Sequence, residues 1–267
     1  MDKFSNPTVK FLSFVVVSLG VIFTLLPLVI IVYTSFFANS NSGGFTVEYY
    51  QQAWEKGKFL LAFANSSLVA IVVTLLQVIT STLAGYSLSR LSFKGKNVVL
   101  LLVITTLVIP FQLLVIPIFL ILKSGGMINT YWALILPTSA SGFGIFLMRQ
   151  YFMTIPIELE EAATLDGASQ LQIIWHILLP LIKPAIVTLA LFAFIGEWND
   201  LFKPLVFTNN PKLVTVQLAL ASFQEQFTSD WSLLMAGVVI ASLPIIILFF
   251  IGQKQLIQGI GTTGIKS

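Results

Sequence analysis

The chain has 267 residues, of which 57% are hydrophobic and only 9% charged, and its mean hydropathy is +0.94. Soluble domains carry about 25% charged residues, so a water-soluble globule is excluded and lipid is the expected solvent. The net charge of +3 is read as a matter of membrane topology rather than nucleic-acid binding, and the absence of Cys rules out disulfides and thiolate metal sites.

Apolar runs near the ~20 residues that cross a bilayer follow one another along the chain. They are expected at about 11–37, 66–88, 98–122, 131–147, 185–207 and 233–251. Each reads as a helix, because irregular backbone cannot face lipid. The fold class is therefore all-α, a single polytopic membrane domain over 1–267 with six spans. Pro27, Pro110, Pro117, Pro137 and Pro244 lie inside or near span ends and are expected to kink them. The first run, about 27 residues long, exceeds the 7–15 of a signal-peptide core and is read as a span.

Six spans put both termini on one side. Nine of the 14 cations fall on that side, among them Arg90, Lys94 and Lys96 in "SRLSFKGKN", and five on the other. The positive-inside rule makes the first side cytoplasmic. Segments 38–65 and 208–232 then lie outside, and "FTVEYYQQAWEKGKFLLAF" and "TVQLALASFQEQFTSDW" carry aromatics at spacings suited to short interfacial helices. An aromatic belt and a docking surface for an external partner both fit them.

The same topology makes about 154–184 a cytoplasmic loop, "TIPIELEEAATLDGASQLQIIWHILLPLIKP". Pro156 suits a first helical turn, and Glu158, Glu160 and Glu161 favour the positive end of a helix dipole. Ala162 and Ala163 are helix formers small enough to let another backbone approach. Asp166-Gly167 is a turn pair that ends the helix. Ser169 and Gln172 have capping-box spacing for a second helix, expected to end before Pro180. A segment this ordered reads as a docking element; an interfacial helix on headgroups is the alternative, with three Glu against it.

Glu161-Ala162-Ala163, Gly167 three residues on, and Ile177, Leu179 and Pro180 after nine more resemble the EAA motif of ABC importer permeases. "FIGEWNDLFKPLVF" and the tail "QKQLIQGIGTTGIK" are similar to the carbohydrate, maltose-type branch, and the likeness is weakest before about residue 60. The resemblance implies a type I ABC importer transmembrane domain in a prokaryotic plasma membrane, acting as a permease for a carbohydrate or sugar-like solute. It implies a second homologous permease, two nucleotide-binding ATPase subunits and an extracytoplasmic solute-binding protein as partners. Glu158, Glu161, Ala162, Ala163, Asp166, Gly167, Ile177, Leu179 and Pro180 would form the coupling element seated in the ATPase subunit, and Gln258 and Gly259 would reach the ATPase dimer. ATP and Mg would sit on those partners, with no cofactor bound by this chain. Lys203 stands where relatives often have an aromatic.

Glu197, Asp200 and Lys203 fall in the fifth span, where ionisable groups cost about 2.5–3.5 kcal/mol each when central. Glu197, Trp198, Asn199 and Asp200 are candidates for a pathway lining or a subunit interface; a span that ends near Glu197 is the alternative. Gly57-Lys58 and Gly95-Lys96 lack the flanking residues of a phosphate loop, and His176 is the only histidine, so neither an ATPase nor a zinc-hydrolase site is expected here. An ion-coupled secondary transporter is the competing function. It would require midplane ion sites, and five of the six spans carry no charge.

Overall fold

The computed structural model describes residues 7–37, 44–226 and 230–261. Its elements in chain order are α1 (Pro7–Phe36), α2 (Glu48–Lys56), α3 (Phe59–Arg90), α4 (Lys96–Thr106), a 3-10 turn, α5 (Val115–Ser124), α6 (Tyr131–Ile135), a second 3-10 turn, and α7 (Gly142–Thr154). They continue with α8 (Glu158–Leu165), α9 (Gln170–Gln172), a π turn (Ile173–Leu178), α10 (Leu179–Leu181), α11 (Lys183–Trp198), α12 (Phe202–Phe207), α13 (Val216–Gln226) and α14 (Trp231–Gly261). The architecture is all-α.

Among the described residues three helical stretches are long and apolar enough to cross a membrane: Thr8–Phe36, Phe59–Arg90 and Trp231–Leu256. Six crossings result if each of three bent pairs is one span. The pair Lys96–Thr106 and Phe111–Ser124 bends by 99° at Pro110, whose extended backbone starts the second piece. Tyr131–Thr138 and Gly142–Thr154 bend by 43° just after Pro137. Gln170–Leu181 and Lys183–Trp198 bend by 82°. Pro27 and Pro244 instead lie within unbroken helices. The run 185–207 is not one helix: α11 stops at Trp198, and α12 begins at Phe202.

The chain divides into two compact units. One comprises 1–60 with 219–243. In it Ser232 Oγ donates to the Phe37 carbonyl at 2.7 Å, the Ser35 and Tyr50 hydroxyls meet at 2.6 Å, and Phe36 stacks on Phe45. Phe59 packs edge-on against Phe223. Burial, then the charges of Asp230 and Glu48, pushes the Tyr49 phenol above its ordinary pKa, so it stays neutral. Large apolar side chains of α1 such as Phe23 are exposed along its length, as a lipid-facing helix requires.

The other unit comprises 61–218 with 244–267. Its main core draws Tyr86 from α3, Met148 and Phe152 from α7, Ala163 from α8, Ile173, Ile174 and Leu178 from the π turn, and Ala185 and Leu189 from α11. Close approach is built in: a Cβ on Gly144 would collide with Ser81 Oγ and crowd Leu189. Small residues at such crossings let membrane helices gain dispersion energy where lipid offers no hydrophobic drive. Gln77 bridges α3 to the turn at Thr138, donating to its carbonyl at 2.7 Å.

Candidate functional site

The segment 154–184 forms two helices joined by a corner. Ile155 is extended, as a residue before proline must be, so Pro156 lies ahead of α8 rather than in its first turn. The acidic residues Glu158, Glu160 and Glu161 fill that first turn, where the free N–H groups favour negative charge. Gly167 ends the helix with φ +84°, a left-handed conformation that glycine adopts without Cβ strain. Its N–H bonds the Thr164 carbonyl, and the Ala168 N–H bonds that of Ala163, both at 3.0 Å. This is the Schellman pattern that satisfies otherwise orphaned carbonyls. Ser169 and Gln172 form a complete capping box, with Ser169 N–H donating to Gln172 Oε1 at 2.8 Å.

The second helix does not end before Pro180. It passes through Pro180 to Leu181, and the turn ahead of it is wound as a π turn. Widening that turn relieves the clash a proline ring makes with the carbonyl four residues back.

The motif residues divide between two faces. Glu158, Glu161, Ala162, Asp166, Gly167 and Pro180 are exposed, and Ile177 and Leu179 are half-buried. Ala163 is buried in this chain's own core, so the close approach it allows is to α7 and the π turn. Leu165 is 90% exposed on α8, an apolar group offered outward on a polar helix. Glu160 turns inward and is ion-paired to Arg90 of α3, Nε to Oε1 at 2.5 Å. Both line a cleft of about 530 Å³, as do Glu161 and Gln170. Arg90 and Leu165 were not singled out for this site from the sequence. In the sequence Arg90 is a cation just past the apolar run 66–88, and nothing local ties it to the loop carboxylates 70 positions on.

The second polar cluster lies at the break in the fifth span. Lys203 is 2% exposed; its Nζ is 2.5 Å from Glu197 Oε2, 3.3 Å from Asp200 Oδ2, and donates to Thr138 Oγ1 at 2.6 Å. Asp200 also accepts from the N–H groups of Phe202 and Lys203 and so starts α12. Glu197 and Asp200 therefore converge on one cation. Trp198 is 1% exposed, stacked on Phe194 and edge-on to Phe63, whereas Asn199 is exposed and accepts from Gln217. Gln258 and Gly259 fall in the last turns of α14, where side chains lie outside what is described, as do residues 262–267 altogether. Among the described residues no group of three or more His, Cys, Asp or Glu is placed to hold a metal ion.

Apolar helices and bent pairs around an ordered polar helix-corner-helix define a helical membrane protein. Residues 77–262 match the family described as binding-protein-dependent transport system inner membrane component, and the chain belongs to that family. It is 38% identical over 221 residues to the probable ABC transporter permease protein YurM of Bacillus subtilis, covering 82% of this chain and 73% of that one. It is 34% identical to the arabinooligosaccharides transport system permease protein AraQ of Halalkalibacterium halodurans (79% and 76% covered). Against the lactose transport system permease protein LacG of Rhizobium radiobacter it is 33% identical (74% and 73%). The fold is similar to a chain of a bacterial ABC transporter involved in the import of the acidic polysaccharide alginate, with TM-score 0.82, 23% identity, and 96% and 99% of the two chains covered. The chain is thus the membrane component of a binding-protein-dependent transport system rather than its ATPase.

Proposed function

We propose that this permease carries a carbohydrate or sugar-like solute across the plasma membrane in an ATP-driven importer, and that α8 is its coupling helix. The observation that carries the reading is the ordered corner at Gly167, which holds Glu161, Ala162 and Leu165 outward from a firmly packed base. A helix seated this way can fill a cleft in a soluble subunit and transmit its movement. Closure of two ATPase subunits around ATP would draw the coupling helices of this chain and a homologous partner permease together, turning the spans from inward-open to outward-open. A solute-binding protein would then deliver its cargo. The sugar-directed names among the relatives support the solute class. Both termini are assigned to the cytoplasm on the bias of Lys and Arg, and Gln258 and Gly259 to contact with the ATPase dimer. ATP and Mg belong to the partner subunits.

The test is reconstitution of the full complex in liposomes, with uptake and ATP hydrolysis measured for wild type and for Glu161→Lys with Gly167→Pro. Collapse of uptake in a complex that still assembles supports the reading. Uptake that is unchanged, or that persists without the ATPase subunits, refutes it.

A further inference from the structure

The backbone joins α8 directly to α7 and, through α9 and α10, to α11. It does not join α8 to α3, yet polar contacts tie the end of α3 to α8 and to the residues just ahead of it. Arg90 ends α3, and its guanidinium holds two elements at once: Nε meets Glu160 Oε1 at 2.5 Å, and Nη2 donates to the Ile155 carbonyl at 2.6 Å. One turn earlier the Tyr86 hydroxyl donates to the other Glu160 oxygen at 3.4 Å. From α7, Arg149 Nε donates to the Leu88 carbonyl at 3.2 Å. Beneath these bonds Tyr86, Phe152 and Ala163 pack together.

Apolar packing would bury the inner face of α8 without fixing its roll, because hydrophobic attraction is non-directional. Two directional hydrogen bonds, Arg90 Nη2 to the Ile155 carbonyl and the Tyr86 hydroxyl to Glu160, together with the Arg90–Glu160 ion pair, do fix it. The pair is mostly buried, and in such pairs desolvation offsets most of the Coulombic gain. Orientation accounts for it better than stability does.

We propose that Arg90, Glu160 and Tyr86 are positioning residues that make α8 and the adjoining end of α3 move as one body. Displacement of the coupling helix then enters the membrane through the second span as well as the two spans that flank the loop. This rests on the reading of α8 as the coupling helix.

The chain has no Cys, so Leu83→Cys on α3 and Leu159→Cys on α8, both exposed, accept spin labels uniquely. In the complex assembled with its ATPase subunits, the distance between them is measured with and without ATP. In the otherwise wild-type chain it stays constant. In Arg90→Gln it shifts or broadens when ATP is added. Arg90→Lys, which keeps the charge and loses the fork, restores it in part. A distance that remains constant with ATP in Arg90→Gln overturns the proposal. If Arg90→Gln does not assemble, Glu160→Gln and Tyr86→Phe decide the matter by the same readout. A purely structural role would lower the yield without making the distance respond to ATP. Failure of the coupling reading is seen separately, as ATP-driven uptake that is indifferent to Glu161→Lys with Gly167→Pro.

Discussion

Glu197 and Lys203 sit on opposite sides of the break between α11 and α12, one near the end of α11 and the other near the start of α12, with Oε2 and Nζ 2.5 Å apart. The pair holds the two pieces at a fixed angle where the backbone between them is irregular. Removing one member strands a buried charge, which costs about 3–5 kcal/mol. Lys203→Met is therefore expected to destabilise the purified protein by about that amount. Lys203→Met with Glu197→Leu is expected to recover most of the loss, because Asp200 still caps α12 and is less buried. Thermal unfolding in detergent distinguishes the two.

Gly167 and Gly144 are sensitive for different reasons. Around Gly167 the space for a Cβ is open and only its φ of +84° is restrictive, so Gly167→Ala is expected to cost about 1–2 kcal/mol and Gly167→Asn less. At Gly144 the added Cβ meets Ser81 and Leu189, an overpacking cost of about 1–3 kcal/mol. Ser81→Gly should rescue Gly144→Ala and do nothing for Gly167→Ala; the same unfolding assay reads both.

Ser169→Ala removes the side-chain half of the capping box. The expected loss is about 1 kcal/mol, felt locally at the corner. Limited proteolysis between Asp166 and Gln172 should quicken several-fold while the midpoint of global unfolding barely moves. An unchanged cleavage rate would mean that the corner is held by other contacts.

Leu165→Ser should leave the isolated permease as stable as before, since the side chain is already exposed. On the proposed reading it should weaken ATPase-subunit binding by about 1.5–3 kcal/mol, the worth of burying a leucine. Pull-down titration of the ATPase subunit measures the change, and equal affinities would remove Leu165 from the interface.

Much of this was legible from residue types. Apolar runs located the three long helices Thr8–Phe36, Phe59–Arg90 and Trp231–Leu256, and the Glu-rich first turn, Asp166-Gly167 and Ser169 with Gln172 specified the corner, because capping and turn chemistry act over three or four residues. What the sequence left open depends on distant partners. The breaks at Pro110 and after Pro137 came out as bends of quite different size, and Pro27 and Pro244 broke nothing; a proline's effect depends on what repacks around it. The inward turn of Glu160 could not be told from the outward turn of Glu161 without knowing that Arg90, 70 positions earlier, stands opposite. Lys203 finds Glu197 on a separate helix because the run 185–207 breaks between them, whereas helical spacing relates it only to Asp200, three residues away.

The bare side chain of Leu165 has a consequence for the cell. With Leu171 and Trp175, exposed at 63% and 62% on the same loop, it adds to the bare apolar surface that chaperones and proteases act upon. That surface disappears only when something covers it. Copies of this permease that never find their partner would keep displaying it and be cleared. Subunit supply would thereby be matched to assembly without any dedicated regulator, and the chain produced alone should accumulate to lower levels than the chain produced with the subunit that covers α8.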